Sequence, residues 1–192
     1  MFHIKDDIRA QRSAQLLYNG LMTLLDTKHF NQITVSDLSR ESTVGRTIFY
    51  RHFDDTIDIL TWQCTKHMRD ALTNYVAAFK PNDETSSLLR YVLTSILSPK
   101  NVKAWETLLE IERLDIIYNV FIQNAHIVLE CYEQIGLYHP NDDYTYFVST
   151  RVGFLTGILN GWLHSGKQQT VDEILAIVLR QHQEVIASEL LF

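Results

Sequence analysis

Thr34-Val35-Ser36-Asp37-Leu38-Ser39-Arg40-Glu41-Ser42-Thr43-Val44-Gly45-Arg46-Thr47-Ile48-Phe49-Tyr50-Arg51-His52-Phe53 is the stretch that decides the fold. It reads as two short helices joined by a tight turn at Thr43-Val44-Gly45. Thr34 or Ser36 can cap the first helix, because a side-chain oxygen there accepts from a free backbone N–H. Leu38 and Val44 point inward, and Gly45 is expected to permit the reversal that a β-branched residue resists. The second helix carries Arg46, Thr47, Tyr50, Arg51 and His52, a dense set of hydrogen-bond donors. That layout is a helix-turn-helix whose second helix suits the DNA major groove.

Working outward, residues 7–26 show helical periodicity, with Ile8, Leu16, Leu17, Leu21, Leu24 and Leu25 on an apolar side. This helix buttresses the other two and completes a three-helix head. Asp55 is placed to cap a long helix over about 56–79. Helical pattern continues at 84–97, from 101 to about 135, at about 143–165 and at 171–190, with breaks expected at Pro81, Pro99, Gly136, Pro140 and Ser165-Gly166. The expected fold is all-α, with a three-helix DNA-binding head over 1–54 and a larger helical ligand-binding and dimerisation body over 55–192. Only 7 glycines and 3 prolines occur in 192 residues, which favours long helices over a turn-rich β fold.

The order T-V-x-D-L-x-x-x-x-x-V-x-x-x-x-F-Y-x-H-F, followed by Asp54-Asp55-Thr56-Ile57-Asp58-Ile59-Leu60, resembles the N-terminal domain of TetR-family transcriptional regulators, over roughly residues 8–62. The resemblance implies a homodimer on a double-stranded, palindromic DNA operator, most simply a repressor released by a small-molecule effector. It implies that Arg46, Thr47 and His52 contact bases or nearby phosphates, that Thr34, Gly45 and Tyr50 contact the phosphate backbone, and that Arg51 joins the DNA-binding set. It also implies that the long helix links head to body, and that the last two helices form a four-helix dimer interface with their symmetry mates. Residues 157–163 are similar to C-terminal domains found in this family among low-GC Gram-positive bacteria. Three departures stand out. Thr43 replaces the usual turn glycine, Ile48 a usual threonine, and Thr56 a lysine that often grips phosphate, with Asp54 and Asp55 adding repulsion beside it.

Charge bounds the mode of binding. The net charge is −6; residues 1–60 carry 7 basic and 8 acidic side chains, and residues 61–192 carry 10 and 15. Bulk charge therefore argues against a general polyanion binder. DNA affinity has to come from local placement of Arg46, Arg51, Lys5, Arg9 and Arg12.

In the body, Gly153, Gly157 and Gly161 recur every four residues on one helix face. A helical glycine costs roughly 1 kcal/mol relative to alanine, so the stripe has a structural reason: close approach of another helix, in the same subunit or the dimer partner, or volume left for a ligand. Trp105, Tyr118, Phe121 and His126 are candidate ligand-lining residues, since effector pockets are mostly apolar with a few orienting polar groups. Each also reads as ordinary core or surface. His126, Glu130 and Glu133 share a helix face, which reads as solvated charge and not as a metal site. No hydrolase elbow, zinc-protease helix, P-loop or dinucleotide fingerprint occurs, so neither an enzyme nor a cofactor is expected. Cys64 and Cys131 are unpaired in spacing, and the charged first residues lack a secretory pattern; a cytoplasmic protein without a membrane span is expected. Two rival readings remain: a regulator or activator controlled by a partner protein, and a helical enzyme or scaffold that does not bind DNA.

Overall fold

The computed structural model describes residues 1–4, 7–79, 86–137 and 143–188. Lys5, Pro81 and Pro140 lie outside the described residues. The described chain is all-α: α1 Ile8–Leu24, a 3-10 turn Phe30–Gln32, α2 Val35–Ser42, α3 Arg46–His52, α4 Ile57–Ala78, α5 Ser86–Ile96, α6 Pro99–Glu110, α7 Asp115–Gln123, α8 Ala125–Gln134, α9 Tyr144–His164 and α10 Val171–Ser188. It divides into two compact units, Met1–Asp70 with Lys103–Asn124, and Ala71–Val102 with Ala125–Phe192.

In the first unit α1, α2 and α3 pack around Leu17, Leu21, Leu38, Phe49 and Phe53, all fully buried. Gly20 is where α1 meets α2: a Cβ there would stand 3.1 Å from that of Ser42. The apolar side of α1 is narrower than its pattern suggests. Ile8 is 87% exposed and Leu16 39%, while the small Ala10 and Ala14 face inward in their place. The N-terminal segment makes an antiparallel bridge from Phe2 to Phe53, and His3 N donates to His52 O at 2.7 Å. Residues 103–124 are tied into this unit by polar bonds. Lys103 Nζ donates to the α1 carbonyl of Met22 at 2.6 Å and also meets Asp26, and Arg69 donates to Asn124 Oδ1 at 3.0 Å.

In the second unit Leu93, Val148 and Leu159 are fully buried, and Arg90 of α5 pairs with Asp172 of α10. A capping box opens α10, with Glu173 N donating to Thr170 Oγ1 at 3.3 Å and Thr170 N to Glu173 Oε2 at 2.8 Å.

The helical pattern over 101–135 resolves into three helices, and Pro99 begins α6 where it was expected only to end its predecessor. Proline suits a first helical position, where no N–H is needed. The break after α6 falls at Glu112, at φ 58°. Arg113 N donates to Leu108 O at 2.7 Å and Glu112 N to Leu109 O at 3.0 Å, a Schellman closure with glutamate in the seat that glycine favours. The same closure ends α8 at Gly136 and α9 at Gly166, with φ of 73° and 77°.

Candidate nucleic-acid interface

The turn between α2 and α3 is built from side chains as well as backbone. Thr34 caps α2: Asp37 N donates to its Oγ1 at 3.1 Å, and Thr34 N donates back to Asp37 Oδ2, also at 3.1 Å. The Thr34 hydroxyl and amide, and then the Lys28 ammonium, hold the Asp37 carboxyl well below the usual carboxylate range. At the far end, buried Ser42 donates from Oγ to Leu38 O at 2.6 Å and accepts from Val44 N at 3.2 Å. The chain reverses at Thr43, which sits in the left-handed region at φ 59°. Gly45, expected to make the reversal, is extended at φ −63° and caps α3, its carbonyl accepting from Ile48 N and Phe49 N. The strained position is thus the one occupied by a β-branched residue.

Helix α3 is anchored by Phe49, which is 0% exposed and leans at 46° on Phe53. That anchor turns Arg46, Thr47, Tyr50 and Arg51 outward; residues at i, i+1, i+4 and i+5 share one face. Tyr50 is 60% exposed. Arg46 is held by Ser36 of α2, its Nη2 donating to Oγ at 2.6 Å. His52 is different. The resemblance puts it among the DNA contacts, but it is 6% exposed, and its Nδ1 has no hydrogen-bond partner among the described residues. Burial first, and then the neighbouring Arg51 charge, push its pKa below the ordinary value, with Asp7 acting the other way. In this arrangement its ring is a packing group under α3. The repulsion expected from Asp54 is partly cancelled, because it accepts from the Met1 ammonium and His3 Nε2, each at 3.0 Å. At the start of α4 Asp58 reaches back to accept from the Asp54 and Asp55 amides, and Asp55 Oδ1 accepts from the Thr56 amide at 2.5 Å and its hydroxyl at 3.1 Å.

A second feature lies in the second unit. Gly153, Gly157 and Gly161 line an open groove of about 550 Å³ along α9 and α10, with Phe154, Ile158, Trp162 and Ile177. A Cβ added at any of the three glycines would meet nothing within 4 Å. The stripe therefore serves no helix contact within the described chain. Phe154 is 43% exposed and Ile177 37%, so the groove wall is apolar.

The candidate ligand residues are divided between the two units. Trp105 is 4% exposed in the first unit, against the edge of His67 at 6.1 Å; Tyr118 and Phe121 are half-buried there, and His126 is exposed in the second. Neither the groove nor a smaller polar cleft of about 400 Å³ between the end of α1 and α6 includes any of the four. Among the described residues, no three His, Cys, Asp or Glu side chains cluster to hold a metal, and no helix is long and apolar enough to cross a membrane. Sequence reasoning missed Ser36 as the support for Arg46. It also missed the stack of Arg151 on Phe147, which the i, i+4 spacing signals.

No family model and no curated protein matches the chain. Solved structures do share its all-helical architecture. Lin0861 from Listeria innocua superposes with a TM-score of 0.76 at 17% identity, over 95% of this chain and 96% of its own. The fatty acid degradation regulator FadR from Bacillus halodurans superposes with a TM-score of 0.57 at 13% identity, over 89% of this chain and 93% of its own.

Proposed function

We propose that this chain is a sequence-specific DNA-binding transcriptional regulator of the TetR type: a homodimer on a palindromic operator, acting as a repressor that a small molecule releases. The observation that carries the reading is the capped α2, the Thr43 turn, and α3 with Arg46, Thr47, Tyr50 and Arg51 on its open face. Arg46 and Thr47 begin the recognition helix, where side chains reach base edges. Tyr50, Arg51, the Thr34 cap and the Gly45 amide serve the phosphate backbone. The head is assigned to 1–54 and the effector and dimer functions to 55–192. The similarity of fold to a protein named as a regulator of fatty acid degradation accords with this. The open glycine groove supports dimerisation, because an apolar face with no occupant among the described residues fits the same face of a second copy.

Release by ligand is a population shift. The effector has to bind the DNA-incompetent arrangement more tightly than the competent one, by as much as the shift it produces. Helix α4, whose residues belong to both units, is assigned to carry the change. The test is titration of an operator duplex by fluorescence anisotropy. Arg46→Ala and Tyr50→Phe should each cost roughly 1–3 kcal/mol, about fivefold to a hundredfold in Kd, and affinity should fall steeply with salt. Unchanged affinity in both variants would remove α3 as the reading element.

A further inference from the structure

Rings crowd the inside of the second unit. Tyr75 of α4 lies 5.3 Å from Tyr91 of α5 and 5.9 Å from Phe79, and Tyr132 of α8 meets Phe147 of α9 edge-on at 5.1 Å. Into this cluster α9 sends a cation. The Arg151 guanidinium carbon stands 3.5 Å from the centre of the Phe147 ring and 5.4 Å from that of Tyr132. Its Nη1 donates to Phe147 O at 3.0 Å. The side chain is half-buried, and no carboxylate among the described residues pairs with it, whereas Arg90 of the same unit is engaged by Asp172.

A partly desolvated guanidinium is costly unless paired. Aromatic faces offset only part of that cost, and the Phe147 carbonyl and the Tyr132 hydroxyl oxygen, which both accept from the guanidinium, do not use up its N–H donors. The guanidinium carbon packs on the Phe147 ring, and the fork keeps N–H donors for a planar acceptor. The Tyr132 hydroxyl accepts from the guanidinium and keeps its own O–H to donate. Burial pushes that phenol's pKa up, with Arg151 pulling the other way, so it stays protonated at neutral pH.

We propose that Arg151 and the Tyr132 hydroxyl are the receptor for the carboxylate of a small organic acid whose apolar or aromatic body lies against the rings of this unit. The bidentate match of guanidinium to carboxylate selects the headgroup. Arg151 is the cation seen on these rings among the described residues, and one cation matches a monoanion. The inference gives the chemical class of the effector and rests on the ligand-released reading above.

The experiment is calorimetric titration of the intact protein with two matched pairs, 4-phenylbutyrate against 4-phenylbutanamide and octanoate against octanamide. The acids should bind at least about tenfold more tightly than their amides. Arg151→Gln should lower acid binding to the amide level, and Arg151→Lys should keep part of it. Acid and amide binding alike, an Arg151→Gln protein that binds acids as wild type does, or no binding of either acid would each overturn the proposal. Should Arg151→Gln fail to fold, the matched pairs on wild type, with Tyr132→Phe weakening the acid alone, decide it. Operator affinity is read separately. Acid binding at Arg151 that leaves operator affinity unchanged keeps the site and removes the ligand-released reading; release by an amide with no acid bound does the reverse.

Discussion

Replacing Gly157 separates what the chain needs for itself from what it needs for a partner. An added Cβ at this position meets nothing within 4 Å, so alanine brings no clash inside the chain. It also removes the entropic cost of a helical glycine, a gain of about 0.8–1.0 kcal/mol. Gly157→Ala should therefore raise the urea midpoint of the dissociated chain. Leucine extends into the 550 Å³ groove beside Phe154 and Ile177, again without displacing its own chain. If a second copy lies on this face, the added side chain meets that copy's helices. Overpacking costs about 1–3 kcal/mol at one site, and a twofold contact repeats it, giving about 2–6 kcal/mol, or roughly 30-fold to 10⁴-fold weaker dimerisation. Sedimentation equilibrium across concentration, paired with urea unfolding at the dilute end, measures both. Dimerisation of Gly157→Leu at wild-type strength would show that the groove is not the dimer face. A Gly157→Ala chain less stable than wild type at every concentration would mean that the stripe is packed within the chain.

Two further outcomes follow from the head. Thr43 pays about 1–2 kcal/mol for its left-handed backbone, part of which glycine returns as unfolded-state entropy. Thr43→Gly should therefore stabilise the protein by about 0.5–1 kcal/mol in urea unfolding while Thr43→Ala does not; a lower midpoint for the glycine variant than for wild type would refute the strain. His52 has a folded pKa below its unfolded value, chiefly from burial, so the unfolded chain binds the extra proton first. Its contribution is complete above about pH 6.5 and is lost as pH falls through the folded pKa. His52→Gln should flatten the stability profile between about pH 7 and pH 5, and an unchanged slope would show that the ring is not buried neutral.

How much was legible depended on whether a residue's chemistry acts locally. A cap at Thr34 or Ser36 was readable because a side-chain oxygen ahead of a helix takes a free amide with no help from elsewhere; the structure selects Thr34, with Asp37 closing a box. The ends of α8 and α9 were readable because Gly136 and Gly166 occupy the left-handed closing position. The end of α6 was not, since Glu112 adopts the same backbone with no glycine to mark it, and the stretch over 101–135 reads as one helix in consequence. Gly45 drew the reversal to itself on propensity alone. In the folded head Ser42, buried against α1 and bonded to Leu38 and Val44, fixes the turn one residue after itself. Of the site, the outward face of α3 follows from helical spacing once Phe49 is taken as the anchor. The same spacing places His52, three residues after Phe49, on the inward side; what no local pattern announces is that Phe2 and His3 bridge back over residues 52–53. The glycine stripe was visible, but its emptiness within the chain was not, because only coordinates show what a missing side chain would have touched.

The central claim, that α3 reads a twofold DNA site, is tested most directly by selecting bound sequences from a pool of random duplexes with the intact protein. The account predicts enrichment of one palindrome with half-sites about one helical turn apart or a multiple of it, and loss of that enrichment when the selection is repeated with Arg46→Ala. Recovery of no sequence above the starting pool, or the same palindrome enriched equally by Arg46→Ala, would contradict it.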